Sequence, residues 1–159
     1  MRRYSDQVEV LVIGGGTAGV IAALQAARGG ARTAVIEMNG QLGGTMTTGG
    51  VSAPAYFFSP DRQIIAGIPW ELLLKTKKLD GTPMPDFSEQ NPRRPSYHIP
   101  LNPAVYALVA EEACLDAGVE LHYHEILADI ETRERGWRGE RVGKGRPPPP
   151  AAHEPSERT

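Results

Sequence analysis

Apolar positions in this chain of 159 residues come in short runs separated by glycine- and proline-rich breaks. Val8, Val10, Leu11, Val12 and Ile13 form a nearly continuous apolar run, the pattern of a strand buried on both faces of a parallel sheet. Val20, Ala23, Leu24 and Ala27 follow at helical spacing, a stripe of small apolar side chains that ends at Gly29-Gly30. A second strand is predicted over residues 33–36, with Glu37 at its carboxyl end. Pro69 opens a short helix through Trp70, Leu73 and Leu74 to about Leu79, with proline where its missing N–H costs nothing. Asn102-Pro103 is a helix start, a capping side chain followed by proline; Val105, Leu108, Val109, Ala113 and Leu115 continue that helix to a stop at Gly118. Residues 119–124 then alternate as a strand, with Glu120, His122 and His124 on one face and Val119, Leu121 and Tyr123 on the other. Residues 126–130 are the next extended segment. The order is a β-α-β unit, a long crossover of mixed loop and helix, and a third parallel strand beside the second.

The turn between the first strand and helix reads G-G-G-T-A-G, with glycines at Gly14, Gly16 and Gly19 and an extra one at Gly15. Such a motif is weak alone and strong between a buried strand and a helix. Gly14 lets the chain turn out of the strand, Gly16 lets a pyrophosphate approach the backbone, and Gly19 lets the helix pack tightly on the sheet. The N–H groups and positive dipole end of the helix then face the phosphates. Glu37 stands near the spacing at which an acidic side chain accepts hydrogen bonds from a ribose, and its charge disfavours a 2′-phosphate. The fold class that follows is α/β, a Rossmann-like FAD/NAD(P)-binding domain with a parallel sheet. Beyond Glu37 come Gly40, Gly43-Gly44 and Gly49-Gly50, interleaved with Thr45, Met46, Thr47 and Thr48. This density suits either a flexible loop or a backbone lying against a large flat ligand with N–H groups free to donate.

The segments V-L-V-I-G-G-G-T-A-G-V and V-I-E-M-N-G-Q-L-G-G-T-M-T-T-G-G-V resemble the FAD-dependent oxidoreductases of the glutathione-reductase-like superfamily, flavoproteins with two dinucleotide-binding domains. They are most similar to the broad bacterial family whose second glycine cluster reads Q-L-G-G-T. The likeness extends over about residues 7–131 and is most specific in the first 44 of those. It implies FAD as cofactor. It lays the second cluster along the diphosphate and towards the flavin ring, with Gly43, Gly44, Thr45 and Met46 as flavin contacts; Gly14, Gly15, Gly16, Thr17, Ala18, Gly19, Glu37 and Met38 complete the candidate cofactor-binding residues. It also brings the backbone near Leu127, after the third strand, to the adenine. The resemblance names no catalytic acid or base.

Composition adds mainly exclusions. With 40% apolar residues and a net charge of −2, nothing points to nucleic acid or an anionic membrane as an obligate partner. The apolar run ending at Gly14 is too short for a membrane span and reads as a strand rather than a signal peptide, so a cytoplasmic location is expected. The one cysteine, Cys114, excludes an internal disulfide and the dithiol chemistry of related disulfide reductases; its place in a helical pattern reads as core. Tyr56, Phe57 and Phe58 suit burial between loops, or a pocket wall. Lys75, Lys77 and Lys78 are expected to solvate the end of their helix. Residues 80–100 carry five prolines counting the last, which excludes a long helix; Arg93, Arg94, Tyr97 and His98 are its candidate polar groups. His122 and His124 share a strand face, but no third ligand accompanies them and no metal site is expected.

From residue 133 onward, glycine and proline make up nine of 27 residues and apolar side chains are scarce. The expected organisation is therefore an FAD-binding Rossmann-like domain over 1–132 and a disordered tail over 133–159. The hairpin, substrate domain and late returning strand of the related flavoproteins are not evident, so the chain is expected to be a truncated or frame-shifted form with an open sheet. The leading reading is an FAD-dependent oxidoreductase, or its N-terminal FAD-binding portion, acting on an unidentified substrate. The alternatives are an NAD-binding Rossmann protein and a non-catalytic nucleotide-binding fragment.

Overall fold

A computed structural model describes residues 7–59, 62–85, 98–133 and 136–143. Three strands, β1 (Val10–Ile13), β2 (Thr33–Glu37) and β3 (Glu120–Tyr123), form a parallel sheet in the order β1-β2-β3. Val10 stands opposite Thr33 and Ile13 opposite Ile36, while Ala34 stands opposite Glu120 and Glu37 opposite Tyr123. The central strand is buried along its whole length, as expected for a short β-branched run flanked on both edges. All three strands end at the same side, so Ile13, Glu37 and Tyr123 are brought together where a doubly wound sheet places its ligands.

Helices α1 (Thr17–Arg28), α2 (Ile68–Asp80) and α3 (Pro103–Asp116) close one core with the sheet. Val20 and Leu24 of α1, Leu72 and Leu73 of α2, and Tyr106, Val109 and Cys114 of α3 are buried in it with Val35. Burial pushes the Cys114 thiol up to about 11, so the sulfur is an inert packing group at neutral pH. Asn102 caps α3 as the sequence predicts, its Oδ1 accepting from the N–H of Ala104 at 3.0 Å and of Val105 at 3.4 Å. Residues 99–101 run beside the loop after the second glycine cluster: the Ile99 N–H donates to the Pro54 carbonyl at 3.0 Å and the Leu101 N–H to Ser52 at 2.9 Å.

Three expectations change. Lys77 does not solvate the end of α2; it is buried, and its Nζ donates to the Pro100 carbonyl at 2.7 Å and to Thr82 Oγ1. The 99–101 segment covers that turn and leaves a carbonyl for the ammonium to satisfy. The strand expected over 119–124 stops at Tyr123, because His124 takes a left-handed backbone conformation (φ +59°) and leaves the alternation shared by Glu120 and His122. The tail expected to be disordered from 133 contains β5 (Gly136–Gly143), paired antiparallel with β4 (Glu125–Arg133). The two strands form a separate two-stranded sheet. Scarcity of apolar residues argues against a separate core, but an antiparallel pair is joined by main-chain hydrogen bonds, which that composition does not remove. Residues 144–159, like Arg93, Arg94 and Tyr97, lie outside the described residues.

The last turn of α1 is tied to the first turn of α2 by one ion pair. Arg28 Nη1 and Nη2 donate to the two oxygens of Glu71 at 2.7 and 2.9 Å, and Lys75 stands 3.1 Å from the same carboxylate. Hydrogen bonding from Arg28 holds the Glu71 carboxyl down to about 2, against an ordinary 4.5. Because the folded-state value is depressed, the stabilisation is complete above pH 4.5 and is lost as pH falls from there towards 2. About a third of each side chain is exposed, so solvent screening limits the contribution. Glu71→Gln is expected to cost about 0.5–1 kcal/mol in urea unfolding at pH 7, with the difference from the parent shrinking as pH drops below 4.5.

Candidate functional site

The turn from β1 into α1 is held by two close backbone contacts. The Gly14 N–H donates to the Ile36 carbonyl at 2.8 Å, and Gly14 takes φ +93°, a conformation that a side chain disfavours. A Cβ on Gly19 would lie 1.9 Å from the Gly14 carbonyl oxygen, so the first turn of α1 sits directly on the turn that precedes it. The packing role read from the motif for Gly19 therefore has a specific partner.

Glu37 stands beneath this turn, 6% exposed. Its Oε2 accepts the Gly15 N–H at 2.7 Å, and its Oε1 accepts the backbone N–H of Asn39 at 2.7 Å and the Asn39 amide at 2.8 Å. A carboxylate offers about four acceptor positions, and these bonds use three of them. One position remains on Oε2, and the carboxylate is already oriented. Asn39, two residues beyond Glu37, escaped the sequence reading; an Asx side chain just after a strand is the local signal for it. Leu42 escaped it too. This leucine is fully buried under the loop, and a Cβ on Gly15 would meet its Cδ2 at 2.4 Å.

The two glycine clusters interlock. The Gly43 N–H donates to the Gly15 carbonyl at 2.8 Å, and Thr17 Oγ1 donates to the Gly43 carbonyl at 3.1 Å. A Cβ on Gly44 would lie 2.8 Å from Gly16 Cα, and Gly44 has φ +49°. Residues Gly44–Met46 form a single 3₁₀ turn, braced by Thr47 Oγ1 donating to the Leu42 carbonyl at 2.8 Å. Of the two readings left open for this glycine-rich stretch, the flexible loop gives way to a defined main-chain platform. Thr45 is exposed on it, whereas the Met46 side chain is buried in the core.

Beside the platform the structure leaves room. No side chain caps α1 and no acidic residue stands in its first turn, in contrast to α3 with its Asn102 cap. The first-turn N–H groups of α1 are thus left to solvent or a ligand. A Cβ on Gly16 would meet nothing within 4 Å, and Gly16 has an ordinary φ of −67°. Neither sterics within the chain nor backbone conformation demands glycine there. Met38 follows Glu37 with its side chain mostly exposed, and Ala18 is exposed at the start of α1. The β3–β4 junction comes alongside through the His124 N–H, 3.4 Å from the Asn39 carbonyl, and Leu127 follows in β4 at a shift in register. An oriented carboxylate, an uncapped helix start and a glycine with free space over it fit the ribose and diphosphate of FAD.

The remaining aromatic and histidine side chains make contacts of their own. Phe57 and Phe58 pack on Trp70 with ring centroids 5.8 and 5.5 Å away, while Tyr56 is exposed with φ +63°. His98 Nδ1 lies 3.0 Å from the Ala53 carbonyl. His122 Nε2 is 3.8 Å from Glu120. Tyr123 donates to Glu111 at 3.0 Å, and burial, with that bond, raises its phenol above the usual range.

Two substitutions separate the parts of the turn. Gly19→Ala is expected to cost several kcal/mol, because only backbone movement relieves its contact with Gly14. Glu37→Gln is expected to cost about 1–3 kcal/mol even without ligand, since an amide accepts on one side only and turns a donor towards Gly15 or Asn39. Thermal and urea unfolding of the ligand-free variants measures both.

Comparison with known proteins bears on the fold and the family. The family model described as FAD dependent oxidoreductase matches residues 9–145. Leghemoglobin reductase of Glycine max is 54% identical over 41 residues, which is 26% of this chain and 8% of that protein. CabE, an aromatic hydroxylase from angucycline biosynthesis, superposes with a TM-score of 0.58 at 20% identity, over 87% of this chain and 28% of its own. A geranylgeranyl bacteriochlorophyll reductase-like protein of Thermoplasma acidophilum gives 0.57 at 17% identity, over 86% of this chain and 35% of its own. At such identities the solved structures attest the fold, and the chain spans little more than a third of their length at most. With a family model matched over most of its residues and the glycine platform in place, the chain belongs to the FAD dependent oxidoreductase family.

Proposed function

We propose that this chain is the FAD-binding part of an oxidoreductase. The observation that carries the reading is the free space over Gly16, bounded by the uncapped start of α1 and the oriented Glu37 carboxylate. In this reading Gly14, Gly15, Gly16, Thr17, Ala18 and Gly19 line the diphosphate, with the α1 dipole favouring its charge. Glu37 uses its remaining acceptor position on a ribose hydroxyl, and Met38 and the backbone near Leu127 border the adenine. Gly43, Gly44 and Thr45 extend the platform towards the flavin, with Met46 holding it to the core from beneath. Bound FAD would supply hydride or electron transfer at its ring, while the protein binds and orients it. The substrate and electron acceptor belong to this proposal only as an unidentified small molecule.

Gly16→Ala is the decisive variant. Its unfolding midpoint is expected to match the parent, whereas FAD binding, followed by visible absorption and flavin fluorescence, weakens by about tenfold or more because the methyl group occupies the diphosphate's approach. Equal FAD binding by parent and variant overturns the assignment of Gly16. A folded parent that binds NAD but not FAD overturns the FAD reading itself.

A further inference from the structure

Between α2 and α3 lies a shallow groove of about 240 Å³ that the cofactor reading does not use. Lys75 and Lys78 of α2 form one rim, Glu112 and Asp116 of α3 form the other, and Leu79 and Val109 lie between them. Lys75 is engaged by Glu71, but Lys78, Glu112 and Asp116 have no ion-pair partner among the described residues. Leu79 is 59% exposed, and Leu108 and Leu115, one turn either side of Glu112, are 52% and 55% exposed. A helix face that pairs large exposed leucines with unpaired charges differs from an ordinary solvated face, which carries charges without the apolar ridge.

The arrangement of sign is what identifies the partner. A two-fold axis running along the groove lays α2 of one molecule over α3 of another, and α3 over α2. The basic rim of each copy then meets the acidic rim of the other, and the exposed Leu79 of each copy lies in the groove beside the axis. A surface with its two signs on opposite sides of one axis is self-complementary in this way, which an isologous contact requires. We infer that the α2–α3 face is a dimer surface whose partner is a second copy of this chain. The inference is independent of the FAD assignment, since no residue of the glycine platform takes part.

Charge reversal tests it. In Lys78→Glu both intermolecular contacts become acid against acid, and in Glu112→Lys both become base against base. Both positions are exposed, so circular dichroism and the unfolding midpoint are expected to stay at parental values. Sedimentation velocity over a concentration series should show a dimer for the parent at low salt and about tenfold or greater weakening for each variant alone. An equimolar mixture of the two variants should recover the dimer, because in a mixed pair every rim contact is again attractive. Only a contact between molecules produces that recovery. A parent that stays monomeric across the series, single variants that dimerise like the parent, or a mixture that fails to associate would each overturn the proposal.

Discussion

The structure depends on a main-chain contact between two segments far apart in sequence. Gly15 faces Glu37 with its N–H and Gly43 with its carbonyl, so one residue links the first turn, the end of β2 and the second glycine cluster. The bond to Glu37 reaches its side-chain carboxylate, but the two glycine clusters approach closer than side chains permit, since a Cβ on Gly44 would lie 2.8 Å from Gly16 Cα. That is why the surrounding positions are glycine, and why Leu42 can fill the remaining space from below. Without this interlock, residues 40–50 would be a loop hung from a strand. With it they extend a rigid floor from the start of α1.

The helices serve that floor in different ways. α3 is closed at its N-terminus by Asn102 and proline, and α2 begins with proline after Gly67. Only α1 of the three leaves its first turn facing outward with neither a capping side chain nor a proline. Its other end is anchored to α2 through Arg28 and Glu71, which places the open end of the helix at the carboxyl edge of the sheet and the tied end away from it. The charge arrangement suits the dipoles on both sides of the tie, with Arg28 in a last turn and Glu71 in a first turn. A helix held at one end and open at the other is a suitable mount for an anion.

Much of the fold and of the candidate site was legible because it is local. Strand, glycine turn, helix stop and the Glu37 position are read from periodicity and from residues with few conformational alternatives, and the structure agrees within a residue or two at most ends. The Asn102 cap was legible for the same reason, a short side chain acting on the next few N–H groups. Asn39 and Leu42 were not, because their importance comes from meeting Glu37 and Gly15 and not from anything in their own periodicity. The β5 pairing was missed because composition reports the capacity to build a core and says little about main-chain pairing with the preceding strand.

The sequence by itself determined the strand and helix types as far as β4, the parallel order of the first three strands, and the glycines and carboxylate on which the proposed dinucleotide site rests, since these follow from short-range sterics and hydrophobic period. Tertiary structure decided that the two glycine clusters are one surface, that Glu37 is already bound by three donors, and that Lys77 lies inside while Lys78 lies outside. Lys77 and Lys78 are neighbours of the same kind in the same helix. What separates them is the helix face that the 99–101 segment covers, and that covering is a contact across more than 20 residues that no local pattern encodes.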